Sequence, residues 1–244
     1  MNITKHIPNF LTSLNLACGA LAVFFALNGH IQWAVWLIFI GALFDFSDGF
    51  AARALKAYSD MGKELDSLAD LISFGVAPAA IFSTLVKQLI TGNATTPFDV
   101  LQFSDKIFVL LPFILAVFSG LRLAKFNVDT RQTESFLGLT TTATGIFTAS
   151  FAYMIITQPE MFDWLNVYII IAMIIFFSIM LVSEVPMFSL KFKNFKFKEN
   201  SERFLLLVLA LVFIVLFGVG GIAATILYYI LYSSGKWIFT YKTK

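Results

Sequence analysis

The sequence predicts an all-α protein, a polytopic membrane helix bundle, on three observations. Of the 244 residues, 59% are hydrophobic and only 13% are charged. Several apolar runs exceed the roughly 18 residues that a helix needs to cross a bilayer. Basic residues gather at alternate ends of those runs, as the positive-inside rule requires. Together these exclude a soluble globular domain. The single cysteine, Cys18, lies inside an apolar run, where it can form no intrachain disulfide and reads as a small buried hydrophobe.

The runs define eight helices. Residues 10–28 follow Lys5 in the manner of a secretory leader, but the run is long and further spans follow at once, so it is the first membrane helix. Residues 31–57, 62–89, 107–126, 139–157 and 165–183 supply the second to the sixth. Residues 204–217 and 222–234 form a shorter final pair, joined through Gly218, Gly220 and Gly221. The expected organisation is a six-helix core over 1–184, a cytoplasmic linker over 185–203 and a helical hairpin with its tail over 204–244. In the linker, Lys191, Phe192, Lys193, Phe195, Lys196, Phe197 and Lys198 alternate charge with aromatic bulk, which suits an interfacial ribbon with its lysines toward anionic headgroups. The patch is short and set against the membrane, so nucleic-acid binding has little support. No internal repeat is visible.

With the N-terminus in the cytoplasm, all of the 17 Lys and Arg fall on the inner side except Lys87 and Lys106. The expected protein is integral to the cytoplasmic membrane, with both termini inside. Its longest polar connections are residues 86–106 and 184–203, so chemistry must come from the helices and their ends.

One segment, residues 42–78, breaks the apolar pattern by placing Asp45, Asp48, Asp66 and Asp70 at the ends of two successive spans. Counting from Ile31, Asp45 lies about 20 Å along its helix at roughly 1.5 Å per residue, near the inner edge of the hydrocarbon. Ionisable groups at that depth are costly and mark function. Asp45 and Asp48 are spaced i,i+3 and Asp66 and Asp70 i,i+4, so each pair shares a helix face. If the two helices form an antiparallel hairpin turning near Tyr58, all four carboxylates meet at one height. They would then repel one another unless cations neutralise them. Oxygen-only ligation without Cys or His favours Mg²⁺ or Mn²⁺. Four carboxylates have room for two such ions, which suits in-line displacement at phosphorus. Gly49 and Ala52 leave a gap along the same face, Gly62 opens the facing helix, and Arg53 can offer its planar fork to a phosphate. Close helix packing is the alternative use of such small residues.

The pattern Asp45-x2-Asp48-Gly49-x2-Ala52-Arg53-x8-Gly62-x3-Asp66-x3-Asp70 resembles, without a miss, the signature of the CDP-alcohol phosphatidyltransferases. The resemblance implies a six-helix transmembrane core, to which the last two helices are additions. It also implies that Asp45, Asp48 and Asp66 are metal ligands, and that Asp70 is the general base and touches a metal. Gly49, Ala52, Arg53 and Gly62 would line the CMP and diphosphate pocket. Further segments are similar to the phosphatidylserine synthase branch: Ile7-Pro8-Asn9-x2-Thr12-x2-Asn15, the run from Ser73 to Pro78, Arg122-Leu123-Ala124-Lys125-Phe126-Asn127, and Phe136-Leu137-Gly138-Leu139. The chain departs from that branch at Lys125, where Arg is usual, and at Thr140 and Thr142, where prolines often stand.

The implied reaction moves a phosphatidyl group from CDP-diacylglycerol to serine at the cytoplasmic leaflet, with two divalent cations, Mg²⁺ or Mn²⁺, bound. Asn9 and Thr12 would hydrogen-bond the diphosphate or cap the first helix. Arg122 and Lys125 would hold the acceptor or a lipid phosphate, or simply flank the fourth span. Related enzymes suggest a homodimer, with membrane lipids as further partners. The alternatives are another acceptor, such as glycerol 3-phosphate or inositol phosphate, and a divalent cation transporter. The transporter reading lacks the inverted repeat and paired Gly/Pro-broken spans of many carriers.

Overall fold

The computed structural model describes residues 6–129, 135–188 and 200–242. Helix α1 (Ile7–Leu27) carries Pro8 in its first turn, where a missing N–H is no loss, and ends before Gly29 at φ +83°. Helix α2 (Ile31–Ala54) packs along α1. Helix α3 (Asp60–Leu71) is capped by Ser59, whose Oγ accepts from the Gly62 N–H at 3.0 Å. It continues through a π turn, Ile72–Val76, into α4 (Ala77–Thr91), making one rod of 32 residues that Gly92 ends at φ +73°. The π turn has a local cause. Pro78 cannot donate to the helical ladder and its ring would crowd the carbonyl four residues back, at Phe74; a widened turn there relieves both problems.

Helices α5 (Phe103–Leu110) and α6 (Ile114–Val128) form a second composite rod, joined by a tight turn at Pro112. Helix α7 (Thr141–Thr157) is capped by Thr140 and α8 (Val167–Val182) by Asn166, each accepting from the N–H three residues on. Helices α9 (Ser201–Phe217) and α10 (Gly220–Lys242) complete the chain. Four helical stretches, Ile7–Leu27, Ile31–Ala54, Asp60–Thr91 and Phe103–Val128, are long and apolar enough to cross a membrane, and α7 and α8 are shorter apolar helices.

The Asp60–Thr91 rod is the axis of the bundle. Its apolar stretch is 78% buried, against 33%, 28% and 33% in the other three long spans. Phe74, Ile81 and Phe82 on this rod share the core with Phe147, Phe177 and Leu181. Outside, Phe46, Phe50, Val117, Ile179, Leu211 and Val215 are exposed. A surface so apolar is suited to lipid as its solvent.

Several differences from the expected elements have physical causes. The second and third spans do not form a close hairpin. Helix α1 packs against both α2 and α3, while α2 and α3 make little direct contact among the described residues. Helix α1, packed on both, closes one side of the gap between them. Helix α10 runs to Lys242 and does not stop near Ser234, because hydropathy falls at Lys236 while the helical ladder continues; Lys236 pairs with Glu202 of α9, tying the extension down. A small antiparallel pair, β1 (Ser135–Leu137) with β2 (Pro186–Phe188), joins the entries to α7 and α9, with Phe136 opposite Met187. Gly138, at φ +75°, follows β1 where any Cβ would lie 2.8 Å from the carbonyl oxygens of Met180, Leu181 and Ser183. Helix α9 begins at Ser201, inside the stretch expected as linker. The basic and aromatic ribbon at residues 191–198, together with Lys5 and Arg131, lies outside the described residues.

Candidate functional site

The site forms where α1 begins, α2 ends and α3 begins. Oxygen atoms of Asp45, Asp48 and Asp66 all lie within 4.8 Å of one another. Asp45 and Asp48 reach this point from adjacent turns of α2, and Asp66 from the second turn of α3. Asp48 is buried, with 6% of its surface exposed, and Thr12 Oγ1 donates to its Oδ2 at 2.6 Å. The same hydroxyl lies 3.0 Å from the Pro8 carbonyl, so both its acceptors are internal. Thr12 thus orients a carboxylate and is not the cap of α1, which begins after His6.

Asp70 stands outside the triad. It lies within electrostatic reach of Asp45 and of Arg122, and its Oδ1 is buried without a hydrogen-bond partner. The four expected carboxylates are thus arranged as three plus one. A triad of oxygen donors with no Cys or His among them fits a hard divalent cation. Anions this close in a low-dielectric setting repel strongly, and a bound cation is the group that would relieve them.

Beside the triad opens a cavity of about 220 Å³. Asn9, Thr12, Gly49, Ala52 and Gly62 all line it, together with Asp48 and Asp66. Arg53 is exposed in the last turn of α2 and is not in the lining, but its guanidinium folds back over Gly49, 3.5 Å from where a Cβ would stand. Pro8, Ala57, Tyr58, Ser59 and Lys63 complete the wall. Lys63 was legible in principle: it precedes Asp66 by three residues and so shares its helix face.

The other candidate cations separate. Arg122 is buried beside Asp70 and packs over the Phe126 ring at 5.1 Å. Lys125 is half-exposed and pairs with Glu184 at 3.4 Å. At the same end, Asn127 Nδ2 donates to Ser67 Oγ at 2.9 Å, and Lys63 Nζ donates to the Asn127 carbonyl at 3.4 Å, fastening α6 to α3.

A bundle of apolar helices, with a carboxylate triad whose spacing fits a divalent cation and an open cavity at one end, defines a class of membrane proteins with a polar site set into apolar spans. Comparison with known proteins makes this specific. The family model for CDP-alcohol phosphatidyltransferase matches residues 5–181. The chain is 39% identical over 135 residues to the CDP-diacylglycerol–serine O-phosphatidyltransferase of Bacillus subtilis (strain 168), covering 55% of this chain and 68% of that protein. It is 25% identical over 235 residues to the enzyme of that name from Helicobacter pylori (strain J99), covering 95% and 91% of the two chains. An archaetidylserine synthase of Methanothermobacter thermautotrophicus is 31% identical over 147 residues, covering 59% and 57%. The chain belongs to the CDP-alcohol phosphatidyltransferase family, and is a membrane-embedded transferase of that family.

Proposed function

We propose that this protein transfers the phosphatidyl group of CDP-diacylglycerol to the hydroxyl of L-serine, releasing CMP and forming phosphatidylserine. The observation that carries the reading is the juxtaposition of the Asp45, Asp48 and Asp66 triad, the separate Asp70 and the open cavity at one end of an apolar bundle. The similarity to relatives named for serine supports the choice of acceptor.

In this reading the donor's acyl chains lie in the cytoplasmic leaflet and its diphosphate rests against the triad. The cavity wall at Gly49, Ala52 and Gly62 leaves room for the nucleotide. Asn9 and Lys63 face it with polar groups, and Arg53 swings from Gly49 to a phosphate. Asp45, Asp48 and Asp66 would hold divalent cations, Mg²⁺ or Mn²⁺, which would supply charge neutralisation at the reacting phosphate. Two ions suit the donor set if Asp70 contributes its unpartnered oxygen.

The serine hydroxyl attacks the phosphorus that bears diacylglycerol. Asp70 takes the hydroxyl proton as the new P–O bond forms, and the bond between that phosphorus and the bridging oxygen breaks, so that the oxygen leaves with CMP. Thr12 keeps Asp48 in one orientation throughout. The catalytic region comprises residues 1–184, and the termini and the site face the cytoplasm. Bilayer lipids contact the exposed apolar side chains, and a second copy of the chain is the expected partner.

The test is a reconstitution of purified protein with CDP-diacylglycerol, Mn²⁺ or Mg²⁺, and one acceptor at a time. Serine should accelerate CMP release and yield phosphatidylserine. Acceleration by glycerol 3-phosphate or inositol phosphate in its place would reassign the acceptor. Family membership leaves the cation-transport alternative without support.

A further inference from the structure

The end of the bundle opposite the carboxylates holds a second and larger cavity, of about 480 Å³. That volume lies in the range of roughly 300–1,000 Å³ that small-ligand clefts occupy. The cavity opens between the C-terminus of α1, the second half of α4, residues 95–98 and the turn that joins α5 to α6. Lys87, on its α4 wall, stands 21 residues beyond Asp66 on the same rod. At 1.5 Å per residue that is about 30 Å, so the cavity is separate from the candidate site.

Lys87 is half-buried in this wall and has neither a hydrogen-bond nor an ion-pair partner among the described residues. The other lysine at this end of the bundle, Lys106, is engaged: its Nζ donates to the Asp99 carbonyl at 3.2 Å and lies over the Phe98 ring. The hydroxyls that line the cavity are engaged as well, each through its single proton. Ser83 Oγ donates to the Val109 carbonyl at 2.7 Å, and Thr84 Oγ1 to the Ala26 carbonyl at 2.8 Å. Thr95 Oγ1 donates to Asn93 Oδ1 at 2.9 Å, and Thr96 Oγ1 to Thr91 Oγ1 or the Asn93 carbonyl at 3.0 Å. Toward the cavity these four groups therefore offer lone pairs only.

A cavity lined this way asks for two things in one ligand. The uncommitted ammonium calls for an anion, and the lone pairs around it call for hydrogen-bond donors. A phosphate ester whose alcohol keeps free hydroxyls supplies both. The rim adds a third requirement, since Leu27 and Leu110 line the same cavity and are 45% and 53% exposed on the apolar surface of the bundle. The cavity thus passes from polar groups to the lipid-facing surface, the profile of a headgroup joined to acyl chains. The positive-inside bias makes basic residues scarce at this end, so topology gives no reason for a lysine here. A lysine that only snorkelled to the interface would need neither a cavity nor hydroxyls beside it.

We propose that this cavity binds the headgroup of a phospholipid from the leaflet opposite the candidate site. The phosphate pairs with Lys87, the hydroxyls of its alcohol donate to the oxygens of Ser83, Thr84, Thr95 and Thr96, and the acyl chains follow Leu27 and Leu110 into the bilayer. The bound lipid ties together the ends of α1, α4 and α5. Nothing in this depends on serine as the acceptor of the transfer reaction.

The experiment titrates purified protein in detergent with phosphatidylglycerol, phosphatidylcholine or glycerophosphoglycerol and counts bound molecules by native mass spectrometry. Wild-type protein should hold phosphatidylglycerol several-fold more tightly than phosphatidylcholine, which shares the phosphate and chains but has no donor in its headgroup. Glycerophosphoglycerol, the same headgroup without chains, should bind far more weakly. Lys87→Gln should raise the dissociation constant for phosphatidylglycerol about tenfold or more, while Lys87→Arg, which keeps the cation, should stay within about threefold. Lys106→Gln removes a charge from the same end of the bundle and should change it by less than about twofold. Turnover of Lys87→Gln at saturating CDP-diacylglycerol should remain within about twofold of wild type, which shows an intact fold. Unchanged phosphatidylglycerol binding in Lys87→Gln overturns the site, and an equal loss in Lys106→Gln reduces it to general charge attraction and overturns it too. Glycerophosphoglycerol binding as tightly as the whole lipid would mark a soluble-anion site and overturn the lipid as occupant. Equal affinity for phosphatidylglycerol and phosphatidylcholine would overturn the role given to the four hydroxyl oxygens.

Discussion

Thr12 and Asp48 are 36 residues apart in the chain and 2.6 Å apart in space, joined by a buried hydrogen bond between the second turn of α1 and the C-terminal half of α2. The bond fixes one carboxylate oxygen and leaves the other for a cation, the role that outer partners play around metal ligands. Thr12→Val keeps the shape and removes the donor. The metal concentration for half-maximal CMP release should rise roughly tenfold or more in this variant. Thr12→Ser should stay near wild type. A metal titration checks both, and an unchanged midpoint in Thr12→Val would detach Thr12 from the site.

Asp70 differs from the triad in place and should differ in phenotype. In Asp70→Asn the shape and the triad persist but the proton acceptor is gone, so turnover should fall by roughly 10²- to 10⁴-fold. Its metal midpoint should move less than those of Asp45→Asn and Asp66→Asn, which lose ligands outright. A chelator should abolish CMP release in wild type, with recovery on adding back Mg²⁺ or Mn²⁺. Near-normal turnover in Asp70→Asn would require another base.

Gly49 and Gly62 lie on the same cavity but for different reasons. A Cβ on Gly62 would stand 2.9 Å from both Asn9 Oδ1 and Ser59 Oγ, so the helix cap and the α1 contact need that glycine. A Cβ on Gly49 would meet nothing nearer than the Arg53 guanidinium at 3.5 Å. Gly49→Ala should therefore melt close to wild type while raising the KM for CDP-diacylglycerol several-fold. Gly62→Ala should lose about 1 kcal/mol of stability through the Ser59 cap. Thermal melts in detergent beside donor titrations separate the two. Equal destabilisation by both substitutions would mean that Gly49 serves packing.

The sequence made the site residues legible because membrane depth makes every charge conspicuous: Asp45, Asp48, Asp66 and Asp70 stand out against apolar spans by cost alone. Its apolar runs also marked the helical stretches among the described residues, with α3 and α4 read as one span and α5 and α6 as another. It did not show how the carboxylates meet. A hairpin of α2 and α3 was the simplest way to align them, whereas the chain sets α1 against both, a long-range choice that spacing cannot encode. The partners of Thr12 and Lys125 were hidden for the same reason, since Asp48 and Glu184 lie 36 and 59 residues away. The β1–β2 pair escaped notice because three-residue strands carry almost no periodic signal. The length of α10 was missed because a hydropathy run ends where polar residues begin, and a helix need not.

The sidedness of the bundle follows from charge and can be checked by chemistry at two exposed positions. Lys56 lies in the turn between α2 and α3, next to the proposed site, and Ser104 lies in the first turn of α5 at the opposite end of its span. The positive-inside bias puts the first in the cytoplasm and the second outside. The native Cys18 is buried, and Cys18→Ala provides a background without thiols at the cost of one small core side chain. On that background, Ser104→Cys in intact cells should react with a membrane-impermeant maleimide. Lys56→Cys should react only after the membrane is opened, and bound CDP-diacylglycerol should then slow its labelling, because the neighbouring Ala57 and Tyr58 line the cavity. The reverse pattern in intact cells would invert the topology and move the site to the outer leaflet, out of reach of a cytoplasmic nucleotide-lipid donor.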